Sequence, residues 1–251
     1  MNRLVNAIAV IAVVAAISPS RLPITLTVAA RATGDEYLAQ VDHLVYATPD
    51  LSAGIETIER LLGVHATQGG QHPGLGTRNA LVALGPSTYL EIIGPDPEQS
   101  KPRGPRRFGI DDLKVPRLVG WVAKGANLEP LVTRARRNSV MLGDVMSGSR
   151  KRPDGVLLSW RYTDPAVVLE DRLIPYFIDW GASPHPAVTA ASGARLVALR
   201  AEHPDAPRVQ KMLRDVGLDL PVTRGASPKL VATVDGRKGR VELAGSASPR
   251  D

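Results

Sequence analysis

Apolar and polar positions along the chain repeat one succession of elements. Residues 41–47 (VDHLVYA) alternate as a strand that sets Val41, His43, Val45 and Ala47 on one face. Asp50 stands at an N-cap position before Leu51, Ile55, Ile58, Leu61 and Leu62, which recur at helical spacing until Gly63 ends the run. After a Gly-rich loop come strands at 79–84 and 88–93, joined by Gly85, Pro86 and Ser87. With a short strand at 64–66, the predicted order is β-α-β-β-β. That order returns as a strand at 118–123, a helix capped by Asn127 carrying Leu128, Leu131, Val132 and Ala135, and strands at 156–162 and 174–180. It returns again as a strand at 195–200, a helix capped by Asp205 with Pro207 in its first turn, and strands at 229–234 and 240–243 around the turn Asp235-Gly236. The pattern predicts an α+β chain of βαβββ modules at 37–98, 117–181 and 195–246.

The first 36 residues differ from the rest. Met1-Asn2-Arg3 precedes a near-continuous apolar run from Leu4 to Ile17, and small residues follow at 28–32. This is the order of charged, apolar and cleavable segments in a secretory signal. The run is shorter than the roughly 20 residues that span a bilayer. Residues 1–32 predict export or membrane anchoring if they act as a signal and a cytoplasmic protein if they do not, so a membrane enters only through this leader.

Composition narrows the chemistry. No cysteine occurs among the 251 residues, which removes disulfide scaffolds, thiolate metal sites and cysteine nucleophiles together. A metal would have to sit on His, Asp or Glu. The net charge of +6 is uneven, because residues 101–152 hold thirteen Lys or Arg and only four Asp or Glu. Aromatic residues barely interleave with that stretch, and it has no helix-turn-helix or finger spacing. It reads as a solvated face, and no nucleic acid partner is expected.

The strand VDHLVYA at 41–47, the segment GQHPGLGTRNA at 70–80, YLEII at 89–93, IPYFIDWG at 174–181 and SPHP at 183–186 together resemble the glyoxalase-like domain of the vicinal oxygen chelate superfamily. The resemblance covers residues 40–245, and HPGLGTRN at 72–79 is its most specific string. It implies paired βαβββ modules rolled into a cupped mixed sheet, with a divalent metal in the cup that chelates neighbouring oxygens of a substrate.

Strand parity agrees with that expectation. His43 shares a face with Val41 and Val45, and Glu91 shares one with Tyr89 and Ile93, so an imidazole and a carboxylate converge if those faces line the cup. The superfamily draws metal ligands from these two strand positions. His43 and Glu91 would then hold Fe, Mn, Ni or Zn, with His72, in the Gly-rich loop, as third ligand or as acid/base partner to Glu91. Thr77 and Asn79 are candidate ligand-binding groups that would otherwise tie down the loop. In the second module Trp121 falls at the place of His43, and Ile178 at that of Glu91. Trp121 either lines the cup or fills the core, and Asp179 reaches the site only after a one-residue slip in register. His185 and His203, beside prolines, read as caps or surface residues.

The implied activity is that of a metal-dependent enzyme acting on a small substrate with vicinal oxygens, of isomerase, lyase or dioxygenase type. The alternative is a binding or sequestering protein of the same fold, favoured by the ligands missing from the second module. A third module left without a mate either packs on the outside or pairs across a homodimer.

Overall fold

The computed structural model describes residues 36–152 and 154–246. The leader, apart from Glu36, lies outside the described residues. Among those residues no helix is long and apolar enough to cross a membrane.

The first module contains β1 (Val41–Ala47), α1 (Leu51–Leu62), β2 (Thr67–His72), β3 (Thr77–Gly85) and β4 (Thr88–Pro95). Asp50 caps α1 by accepting the Ala53 N–H at 2.9 Å, and Gly63 ends it with φ of 68°. The strand expected at 64–66 begins instead at Thr67, and the Gly-rich loop proves to be a hairpin of β2 with β3. The second module contains β5 (Arg117–Lys124), α2 (Leu128–Arg137), β6 (Val145–Lys151), β7 (Leu157–Thr163) and β8 (Tyr176–Asp179). Strand β6 was not predicted, because its sequence VMSGSRK has no apolar alternation and most of it is exposed.

Both modules share one eight-stranded sheet in the order β2-β3-β4-β1-β5-β8-β7-β6. Within each module the first and last strands pair in parallel, β1 with β4 and β5 with β8. The modules join where β1 and β5 run antiparallel. The edge strands β2 and β6 approach one another, and Arg150 Nη1 donates to the Gly69 carbonyl at 2.6 Å across that seam. Every residue of β1 is buried, because the sheet is covered on both faces. Its outer face carries Leu44, Tyr46, Leu90 and Ile92 against Ile58, Leu62, Leu128 and Leu131 of the helices. Its inner face carries Val45, Ala47, Ile93, Val119, Val122 and Ile178, closed by Phe108 and Ile110 from a short 3-10 segment, Arg107–Asp112.

The third stretch repeats the order of elements but not the order of strands. It contains β9 (Arg195–His203), α3 (Ala206–Asp215), β10 (Val222–Arg224), β11 (Lys229–Gly236) and β12 (Gly239–Gly245), hydrogen-bonded as β10-β9-β11-β12. Its first strand pairs with its second and third, whereas β1 and β5 pair with the last strands of their modules. This small sheet packs on the outer layer of the large one, with Leu199, Leu230, Ala232, Val234 and Leu243 in the same core as Leu62 and Leu118. Glycines permit the contact: a Cβ on Gly236 would lie 2.6 Å from the Leu62 carbonyl oxygen, and one on Gly245 would lie 2.1 Å from that of Leu118. One face of the third sheet packs on its own chain, which is the first of the two arrangements expected of a module without a mate.

Candidate active site

The concave face of the large sheet encloses a cavity of about 340 Å³, within the usual range for small-molecule sites. His43 stands on its floor, opposite Tyr89 in the parallel pairing of β1 with β4, two positions before Val45 meets Glu91. Its ring stacks on Tyr89 with centroids 4.6 Å apart. Strict alternation would send Asp42 to the other face. A register shift between Val41 and His43 accompanies a different outcome, in which Asp42 Oδ1 holds His43 Nδ1 at 2.7 Å.

Asp42 is the hub of a buried network. It accepts the Trp180 indole N–H at 3.1 Å and the His185 Nε2–H at 3.2 Å. His185 Nδ1 accepts the Ala187 N–H at 3.2 Å, which fixes the His185 proton on Nε2. Burial alone would raise the Asp42 pKa, but hydrogen bonds from His185 and His43 hold it below the usual carboxylate value. Asp42 is therefore ionised. It keeps a proton on His43 Nδ1 and leaves His43 Nε2 to face the cup, 3.8 Å from Glu91 Oε2 and 3.5 Å from the Tyr176 hydroxyl. Burial, reinforced by Glu91, raises the Tyr176 phenol well above its ordinary value, so it stays protonated.

The opposite wall comes from the β2–β3 hairpin. Asn79 Nδ2 donates to Glu91 Oε1 at 2.6 Å and lies 3.2 Å from His72 Nε2, while His72 Nδ1 lies 2.9 Å from the Thr77 hydroxyl. Burial lowers the His72 pKa, Arg150 and Arg107 add to the effect, and Glu91 opposes it. The imidazole is thus neutral, giving its Nδ1 proton to Thr77 and taking the Asn79 N–H on Nε2. An unfolded chain would bind a proton at the ordinary 6.5, before the folded one does. Stability from this group is therefore complete above that pH and is lost as pH falls toward the lower folded value. Stability should therefore decline as pH falls below 6.5. Urea melts above and below pH 6.5 check it, because His72→Gln should flatten the slope and an unchanged slope would refute the assignment.

Five of the residues singled out from sequence, His43, His72, Thr77, Asn79 and Glu91, line this cavity. Trp121 and Asp179 do not. Trp121 is buried in the outer layer and donates Nε1–H to the Leu173 carbonyl at 3.0 Å. A register shift where β5 passes Val45 and Tyr46 reverses its parity, and the position equivalent to His43 is Val122, which faces Tyr176 as His43 faces Tyr89. Asp179 accepts the Gly181 N–H at 2.9 Å in a turn, on the far side of the strand from Ile178, which occupies the place of Glu91. The sequence reading missed Asp42, Tyr89, Trp180, Tyr176, Arg107 and Arg150. Tyr89 and Tyr176 carried a usable signal, since each shares parity with Glu91 or Ile178. His185 does act as a cap, but it also holds Asp42.

A divalent metal was the cofactor implied by the resemblance, and the donors can be tested against it. His43 Nε2 and Glu91 Oε2 are two donors 3.8 Å apart, and His72 Nε2 lies 3.7 Å from Glu91 Oε1. The Asn79 amide bridges that second gap, and Val122 and Ile178 offer no donor from the second module. Among the described residues no group of three His, Asp or Glu is placed to hold an ion, whereas catalytic zinc and iron sites use three protein ligands. The donor set does not fit a resident metal.

Paired βαβββ modules joined through their first strands around a polar cup are the vicinal oxygen chelate architecture. The family model of the glyoxalase-like domain matches residues 41–217, and the chain belongs to that family. Among solved structures, a hypothetical protein from Staphylococcus aureus is similar at 11% identity and a TM-score of 0.52, covering 81% of this chain and 84% of the other. Methylmalonyl-CoA epimerase from Mycobacterium tuberculosis matches at 18% identity and a TM-score of 0.35, over 55% of this chain and 85% of its own. A mutant of 4-hydroxymandelate synthase from Streptomyces coelicolor matches at 11% identity and a TM-score of 0.44, over 82% of this chain and 62% of its own. Likeness at these identities bears on the fold alone. No curated protein matches significantly.

Proposed function

We propose that the cup catalyses proton transfer on a small carbonyl substrate with neighbouring oxygens, with Glu91 as base at carbon and His43 as acid at oxygen. One observation carries this: His43 Nε2 and Glu91 Oε2 face each other at 3.8 Å on adjacent strands, each held from behind, the imidazole by Asp42 and the carboxylate by Asn79. A carbonyl and the C–H beside it present their oxygen and hydrogen side by side, as this pair is set to meet them. Glu91 Oε2 takes the proton from carbon, and the C–H electron pair becomes the C=C bond of an enol. The carbonyl π pair moves to oxygen, which takes the proton from His43 Nε2. His43 enters as imidazolium, its charge balanced by Asp42, and leaves neutral with Nδ1–H still on Asp42. Returning the proton to a different atom or face completes an isomerisation or epimerisation.

The test is loss of the α-hydrogen signal in D2O, followed by proton NMR over a panel of 2-hydroxy ketones and 2-oxo acids. Glu91→Gln should slow exchange by about 10²–10⁴ fold, and chelator treatment should leave the wild-type rate intact. Exchange that survives Glu91→Gln, or that requires added metal, would overturn the mechanism. The apolar Val122 and Ile178 beside the polar pair favour a second reading, a binding protein without turnover. It would show a retained ligand and no exchange with any member of the panel.

A further inference from the structure

Two guanidinium groups look into the same cup, and the proton-transfer scheme uses neither. Arg150, on the edge strand β6, is only 5% exposed. Its Nη1 is engaged by the Gly69 carbonyl, and among the described residues no carboxylate pairs with it. Arg107 opens the 3-10 segment that lids the cup, with its guanidinium 5.9 Å from the centre of the Tyr162 ring. It has no hydrogen bond or ion pair to any described residue. Both line the cavity, and Glu91 is the one carboxylate that lines it with them. Two guanidinium groups thus share the single carboxylate of the lining. A buried guanidinium without a counterion is costly, and folds keep such a group where a ligand supplies the missing charge.

We propose that Arg107 and Arg150 form an oxyanion-binding wall, so that the molecule taken into the cup carries a carboxylate or phosphate beside its carbonyl. This rests on the reading of the cup as a substrate site and deepens it by naming the substrate class. The duller role for Arg150 is to close the seam between β2 and β6. That role occupies Nη1 alone, and the planar fork has further donors that match the two oxygens of a carboxylate or phosphate. Glycine at 70 allows the fork to lie there, since a Cβ at that position would sit 3.1 Å from Arg150 Nη1. Ser147 and Ser149, on the same strand, extend the polar wall.

The experiment is calorimetric titration of the full chain with three probes of similar size: pyruvate, dihydroxyacetone phosphate and neutral dihydroxyacetone. The wall predicts that at least one anion binds about tenfold or more tighter than the neutral ketone, and the stronger of the two identifies carboxylate or phosphate as the group recognised. Arg107→Gln should remove most of that preference. Arg150→Lys retains a cation and a donor for Gly69 while losing the fork, so it should lower anion affinity about tenfold or more in a folded protein. Equal binding of all three probes, a preference untouched in both variants, or no binding of either anion would overturn the wall. Glu91→Gln separates the two proposals, because it should slow isotope exchange by about 10²–10⁴ fold yet keep the anion preference.

Discussion

Replacing Asp42 with Asn, an exchange of one oxygen for an amide nitrogen, is expected to lower both stability and proton-transfer rate. The carboxylate is 1% exposed and accepts from three different rings, those of His43, Trp180 and His185. An amide has one acceptor oxygen, so its NH2 would confront an N–H that has no other partner. Leaving buried partners of a charge unmatched costs about 3–5 kcal/mol, read as a fall in the midpoint of chemical denaturation. The wild-type advantage is fully present above the ordinary carboxylate value of 3.8 and is lost as pH falls toward the depressed folded value. Function should suffer separately, because without the carboxylate no charge balances the imidazolium from which His43 gives its Nε2 proton. A carboxylate that holds a catalytic histidine in this way is worth on the order of 10⁴ in rate. Near-wild-type stability together with near-wild-type exchange would remove Asp42 from the site.

Trp121 should behave in the opposite way. Its ring belongs to the layer between the large sheet and the helices, with Nε1 on the Leu173 carbonyl. Trp121→Ala is expected to cost about 3–5 kcal/mol and lower Tm by about 2–4 °C for each kcal/mol. The molecules that remain folded should bind ligand and exchange protons as before. Trp180→Phe provides the counterpart, since it keeps most of the bulk but removes the N–H that reaches Asp42. It should leave Tm little changed and slow exchange. A loss of ligand affinity in Trp121→Ala greater than its loss of stability would return that ring to the cup.

The contrast between these tryptophans marks where a linear pattern is informative. Strands β1, β3 and β4 were legible because each is covered on one or both faces and carries regular apolar spacing. The convergence of His43 with Glu91 follows from parity along two such strands. Edge strands β2 and β6 were not legible, since their sequences TQGGQH and VMSGSRK face solvent over much of their length and need no apolar alternation. Parity also fails at a bulge, and the shift in β5 exchanged Trp121 for Val122. Trp180, His185 and Arg150 reach the first module only through the curl of the sheet, and contacts of that range leave no trace in local periodicity. The third stretch shows a related limit, for its succession of elements matches the others while its hydrogen bonding follows a different order.

Strands β2 and β6 end the large sheet, yet they turn toward each other across Arg150 and Gly69. A free sheet edge presents unpaired N–H and C=O groups on which strands of other molecules can nucleate aggregates. Here each edge shields the other, and β6 adds Arg150 and Lys151 to discourage a newcomer. One guanidinium thus guards the backbone against intermolecular sheet growth while facing the cup. Chains in which that clasp opens would lose colloidal solubility and the shape of the pocket in a single event.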